Sequence, residues 1–133
     1  MDMKYYYGNI EEETIANENF RKVIWTGKMS QLVLMALKPG EEIGLETHPQ
    51  VDQFFRIESG KGKAVVGGLE FELSDGKALT VPAGTEHNIV NTGDKPLKLY
   101  TLYSPANHLE GVAHRTKKEA LSDIADEEFG HKD

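Results

Sequence analysis

Residues 76–91 run Gly76-Lys-Ala-Leu-Thr-Val-Pro82-Ala-Gly84-Thr-Glu-His87-Asn-Ile-Val-Asn91. Two β-prone runs, Ala78 to Val81 and His87 to Asn91, flank a Pro82-Ala-Gly84 turn. Proline presets φ for such a turn, and glycine supplies a backbone conformation that side chains disfavour. The turn therefore delivers His87 to the head of a strand. Strand side chains alternate, so Ile89 and Asn91 share its face. Asn91 is expected to hydrogen-bond turn backbone. A lone histidine in this setting is as readily a satisfied core residue as a ligand, so its meaning depends on its partners.

The partners lie upstream. Residues 40–53 run Gly40-Glu-Glu-Ile-Gly-Leu-Glu46-Thr-His48-Pro-Gln-Val-Asp-Gln53, and Gly60 follows after six residues. In a strand, residues two apart point the same way at a separation of about 6.6 Å. Glu46 and His48 are therefore expected to project together, as a site pair or as an exposed strand-end pair. Gln53 heads the next run, beyond a turn at Pro49 to Asp52. If these strands meet His87 on one concave face, they present one carboxylate, two imidazoles and one amide oxygen. Such a set suits one divalent transition metal: zinc, nickel, iron(II), manganese or cobalt. Two histidines and a carboxylate also form the facial triad of non-haem iron sites, which leaves positions open for substrate.

The same texture extends outward. Further β-prone runs are Phe20 to Thr26, Gln31 to Lys38, Gln53 to Glu58, Ala64 to Val66, Leu69 to Leu73 and Leu97 to Tyr103, separated by glycine- and proline-marked turns. Short strands at this spacing predict an all-β antiparallel sandwich or barrel over residues 20–104. Residues 1–19 form an acidic N-terminal arm, expected to pack on the body through Tyr5, Tyr6 and Tyr7. Residues 105–133 are a connector and a short C-terminal helix. Thr116 with Glu119 fits a capping box, and Ala120, Leu121, Ile124, Ala125 and Phe129 fall at helical spacing.

The two segments resemble the paired motifs of the cupin superfamily, G-x5-H-x-H-x3–4-E-x6-G and G-x5-P-x-G-x2-H-x3-N. The second matches at every specified position. The first matches at Gly40, His48 and Gly60, with Glu46 in place of the first histidine and Gln53 in place of the glutamate. The resemblance implies a double-stranded β-helix, or jelly-roll, barrel of the small single-domain cupin 2 kind. It implies metal ligands at Glu46, His48, Gln53 and His87. The carboxylate has moved within the set, but the formal charge of the site is unchanged. Cupin-type mannose-6-phosphate isomerases are similar in kind, surrounding zinc with a glutamine, two histidines and a glutamate. A homodimer is also expected by resemblance, with outward Tyr100 and Leu102 as apolar surface.

Alternation places Phe55, Ile57, Ile89, Leu99, Thr101 and Tyr103 on the inner face, and Arg56, Glu58 and Lys98 on the outer one. These six inner residues are the expected pocket lining and also core. With no inward arginine or lysine recognised, a small unphosphorylated ligand that chelates the metal is expected over a phosphosugar. His108 and His114 flank Gly111 in the connector and are expected as surface histidines, with a lid over the barrel mouth or an acid–base pair as the alternative. His131 is expected in a terminal tail without a role.

Composition excludes other classes. The chain has 133 residues, the size of one domain. Fifteen basic against 22 acidic residues leave a net charge of −7, which disfavours nucleic acid. With no cysteine there is no disulfide or thiolate chemistry. No apolar run reaches the roughly 18 residues of a membrane span, and the opening MDMKYYYGNIEEE lacks signal-peptide order. A cytoplasmic protein is expected. The leading functional expectation is a metal-dependent isomerase or tautomerase of a small sugar-like carbonyl compound. The alternatives are a non-haem metal dioxygenase and a non-catalytic cupin that binds a small ligand or metal.

Overall fold

Each run bounded by glycine or proline becomes a strand. The computed structural model describes residues 5–130. Its strands are β1 (Arg21–Thr26), β2 (Gln31–Leu37), β3 (Asp52–Ser59), β4 (Lys61–Val66), β5 (Leu69–Ser74), β6 (Ala78–Val81), β7 (His87–Asn91), β8 (Leu97–Ser104) and β9 (Ala113–His114). Sheet order is β6-β3-β8-β2-β1-β9 in one sheet and β5-β4-β7 in the other, with antiparallel pairing throughout. The core between them takes Val33, Met35 and Leu37 from β2, Phe55 and Ile57 from β3, Ile89 from β7, and Leu97, Leu99 and Tyr103 from β8. These are alternate residues, so the period-2 reading of each strand holds inside the barrel. Burying each such side chain stabilises the fold by roughly 1.5–3 kcal/mol.

Glycine and asparagine pin the corners. Gly60 has φ +95, and a Cβ there would lie 2.6 Å from the Pro96 carbonyl oxygen, so neither the conformation nor the space admits a side chain. Asn91, 1% exposed, donates to the carbonyls of Leu37 (2.9 Å) and Lys95 (2.8 Å) and accepts from the Gly93 amide (2.9 Å). It hydrogen-bonds turn backbone, as expected, and ties β2, β7 and the turn before β8 together.

The flanks differ from expectation. The arm contains a helix, α1 (Ile10–Ala16), capped by the Asn9 side chain, which accepts from Glu12 N at 3.1 Å. Glu11, Glu12 and Glu13 complement the positive end of this helix. The tyrosines do not dock the arm: Tyr5 and Tyr7 are 78% and 97% exposed, and the Tyr6 hydroxyl donates to Glu13 within the arm. The helix itself packs on β8 and β3, and Lys98 Nζ donates to the Asn17 carbonyl. Glu58, expected outside, is buried, because a bulge follows Ile57 and α1 lies against β3. Burial pushes its carboxyl up, with Glu11 of α1 adding to the rise and Arg56 opposing it.

One C-terminal helix was expected; two are present, α2 (Lys117–Ser122) and α3 (Ile124–Gly130). Thr116 caps the first, accepting from Glu119 N at 3.1 Å. Asp123 caps the second, accepting from Asp126 N at 3.0 Å, and this competing cap divides the helix. No helix among the described residues is long and apolar enough to cross a membrane. His131 lies outside the described residues.

Candidate metal centre

The two motif segments are stitched together by backbone. Residues 42–48 form no regular strand, contrary to expectation. Gly44, at φ +113, bends the segment, and isolated bridges at Glu42–Val90 and Glu46–His87 hold it against β7. Glu46 and His87 exchange both backbone hydrogen bonds at 2.9 Å. The Pro82–Gly84 turn is tied in as well, since Gly84 N donates to the His48 carbonyl at 2.8 Å. Glu46, His48 and His87 thus converge through loop and strand pairing, not along one strand.

Their ligand atoms all lie within 4.8 Å of one another, close to the span of a single coordination shell. His48 Nε2 stands 3.7 Å from Glu46 Oε1, and the two imidazole centroids are 5.3 Å apart. His87 Nδ1 faces the Thr85 carbonyl at 3.0 Å. A carbonyl only accepts, so Nδ1 carries the proton and Nε2 presents its lone pair to the site. This is the outer hydrogen bond that orients a metal-binding histidine. Burial holds His87 below the ordinary histidine range, with the second imidazole of His48 adding to the effect, so it is neutral and able to ligate at neutral pH. Burial alone would raise Glu46. The adjoining His48 imidazole, with Arg21 and His87 beyond it, outweighs that and holds the carboxyl below its usual range.

Gln53 approaches from β3, beside Tyr103 of β8. Its Nε2 donates to Thr101 Oγ1 at 3.0 Å, while its Oε1 is buried with no partner. His48 Nε2 and His87 Nε2 are likewise buried and unpartnered. Orphaned buried acceptors cost free energy, and a protein rarely collects several without something to satisfy them. Two imidazole nitrogens, a carboxylate and an amide oxygen fit a divalent transition metal.

The expected lining residues are placed differently from an open pocket wall. Phe55, Ile57, Ile89, Leu99, Thr101 and Tyr103 are each 0–2% exposed and fill the barrel. The opening beside the ligands is a cleft of about 40 Å³ lined by Arg21, Glu46, His48, Asn107, His108, Asp126, Glu127 and Gly130. It is polar, and the C-terminal segment closes one side of it.

One of those residues, Arg21, escaped the sequence reading. Arg21 is 7% exposed and reaches the cleft, which corrects the expectation that no basic residue faces inward. The signal was available: Arg21 precedes the core residue Val23 by two, on the same face of β1. His108 and His114, expected at the surface, are 6% and 5% exposed. His114 Nε2 meets Asp123 Oδ2 at 2.9 Å. His108 Nδ1 meets Asp126 Oδ2 at 2.7 Å, and its Nε2 stands 3.2 Å from the Tyr103 hydroxyl. Asp126 also accepts from Leu109 N at 2.7 Å. Burial lowers the pKa of His108 although Asp126 opposes it, so the ring is neutral, donates to Asp126 and accepts from Tyr103. Burial pushes the Tyr103 phenol up. The phenol ring lies edge-on to His48 at 6.0 Å, so this buried chain ends beside the Glu46–His48–His87 cluster.

Residues 33–103, which include Glu46, His48, Gln53 and His87, match the model of the cupin domain family. The chain is a cupin. The protein YrkC of Bacillus subtilis is 48% identical to it over 125 residues, 90% of this chain and 67% of that one. The mimivirus protein L612 is 46% identical over 110 residues, 80% of this cupin and 69% of L612. A crystal structure from Bacillus halodurans superposes with a TM-score of 0.86 at 45% identity, covering 88% of this cupin and 93% of that chain.

Proposed function

We propose that this cupin is a metal-dependent isomerase or tautomerase of a small, sugar-like carbonyl compound. Glu46, His48 and His87 would hold one divalent ion, with Gln53 completing or tuning the set. The observation that carries the reading is the convergence of unpartnered His48 Nε2 and His87 Nε2 on the Glu46 carboxylate, with Gln53 Oε1 orphaned nearby. When bound, a divalent ion polarises a substrate carbonyl and offsets the charge that develops on its oxygen.

The remaining work falls to the chain. Thr85 fixes the tautomer of His87, and Thr101 fixes the amide of Gln53. Isomerisation also needs a proton to leave one carbon and return to another. His108 on the wall of the cleft would serve that step as a positioning residue, since Asp126 engages its Nδ1 and Tyr103 its Nε2. The protein is further proposed to work as a homodimer, using the half-buried Tyr100, Leu102 and Phe54 on the outer face.

The test is proton exchange. Metal-loaded protein in deuterated water, given small aldoses, ketoses and 2-oxo acids, should catalyse deuterium uptake at the carbon beside the carbonyl, followed by NMR. The chelated protein should not. Oxygen consumption with the iron-loaded form would favour the dioxygenase alternative. Stabilisation by these compounds without exchange would favour a binding protein. Either result would overturn the isomerase reading.

A further inference from the structure

We propose that Arg21 is the anion-binding residue of this centre, and that the substrate carries a carboxylate next to the oxygen it offers the metal. The inference rests on the metal reading above and names the substrate class of the same site. Arg21 lies on β1 between Met35 of β2 and His114 of β9, with its side chain on the inward face that Val23 shares. It is 93% buried, since 7% is exposed, and its Nε makes no hydrogen bond. None of the ion pairs among the described residues involves it. A buried guanidinium is costly unless its donors are satisfied. Two carboxylates line the cleft and are already engaged: the half-buried Glu46 beside His48, and the buried Asp126 by His108 and Leu109. Their charge reaches Arg21 as a field, and the guanidinium carbon lies 5.3 Å from the Phe20 ring centroid, but neither closes the hydrogen bond of its buried Nε.

Charge and size narrow the ligand. With a divalent ion in place, Arg21, Glu46 and Asp126 leave the interior one net positive charge, Glu127 being exposed at the rim. That favours a monoanion. The cleft of about 40 Å³ admits a group the size of one or two waters. A planar carboxylate fits that space and matches the guanidinium fork in two parallel hydrogen bonds. A 2-oxo or 2-hydroxy carboxylate presents both required features on adjacent carbons: a charged group for Arg21 and an oxygen for the metal.

The test uses full-length protein loaded with metal and checked for metal content. Binding of pyruvate, its uncharged analogue pyruvamide, and inorganic phosphate is measured by calorimetry on wild type, Arg21→Gln and Arg21→Lys. Wild type should bind pyruvate about tenfold or more tightly over pyruvamide, the worth of one charge-assisted pairing. Arg21→Gln should lose that ratio, Arg21→Lys should keep part of it, and metal content should be equal in all three. Comparable pyruvate and pyruvamide affinities in wild type would overturn the assignment without needing a variant. So would an undiminished ratio in Arg21→Gln. Phosphate bound more tightly than pyruvate would overturn the carboxylate. A wild type that takes up no metal would overturn the metal reading, and this inference with it.

Discussion

Thr101→Val separates the structural from the metal-directed role of Gln53. Thr101 is fully buried and its Oγ1 accepts a hydrogen bond from Gln53 Nε2 at 3.0 Å. Valine keeps the shape and removes the acceptor. The stranded amide N–H sits in a residue 4% exposed, so the loss should be about 2 kcal/mol, within the 1–3 kcal/mol typical of an unsatisfied buried donor. For a chain of this size that is roughly 5–10 °C in melting temperature. The amide also loses the acceptor that orients it, and if Oε1 belongs to the proposed metal site its placement there is loosened. Loss of an orienting partner typically costs about 10–100-fold in metal affinity. The assay is urea denaturation of metal-free protein beside a competitive metal titration, both on wild type and variant. The reasoning predicts that both quantities fall. Stability that falls while metal affinity stays level would refute a role for Gln53 at the metal.

Three further outcomes are expected. Asn91→Ala removes three hydrogen bonds at a residue 1% exposed and should cost about 3 kcal/mol in urea denaturation. It should leave metal stoichiometry unchanged, because Asn91 pins turns and touches no ligand. Metal-free protein should lose stability as pH falls. His87 and His108 are both held below the ordinary value near 6.5, chiefly by burial, so the unfolded chain takes up protons first. Their contribution is complete above about pH 6.5 and declines below it. Melting temperatures from pH 8 to pH 5 measure this, and a flat or rising profile would contradict it. Asp126→Asn replaces a buried carboxylate that accepts from His108 and Leu109. It should slow catalysed proton exchange while leaving metal content intact, as measured by NMR and elemental analysis.

Local chemistry made much of this molecule legible. Gly60 and Gly84 stand where positive φ is required, and Pro82 stands in the turn before His87, so the strand frame and its corners could be read directly. Glu46 and His48 were identifiable as a pair, but the route to convergence was not. Two isolated bridges to β7 bring them in, and such long-range pairing leaves no period in the sequence. Arg21 could have been recognised from its register with Val23; a charged residue in a β-prone run is easily assigned to solvent. His108 and Asp126 lie 18 residues apart in segments without strand or helix rhythm in common, so nothing local joins them. The second C-terminal helix turned on Asp123, whose side chain caps better than it continues a helix.

The most direct measurement is the metal content of untagged protein, by elemental analysis, for wild type, His48→Ala and His87→Ala. Circular dichroism should verify that each variant is folded. About one divalent ion per chain is expected in wild type and close to none in either variant, because each removes one of the clustered ligands. Equal metal content in all three proteins, whether high or negligible, would contradict the account.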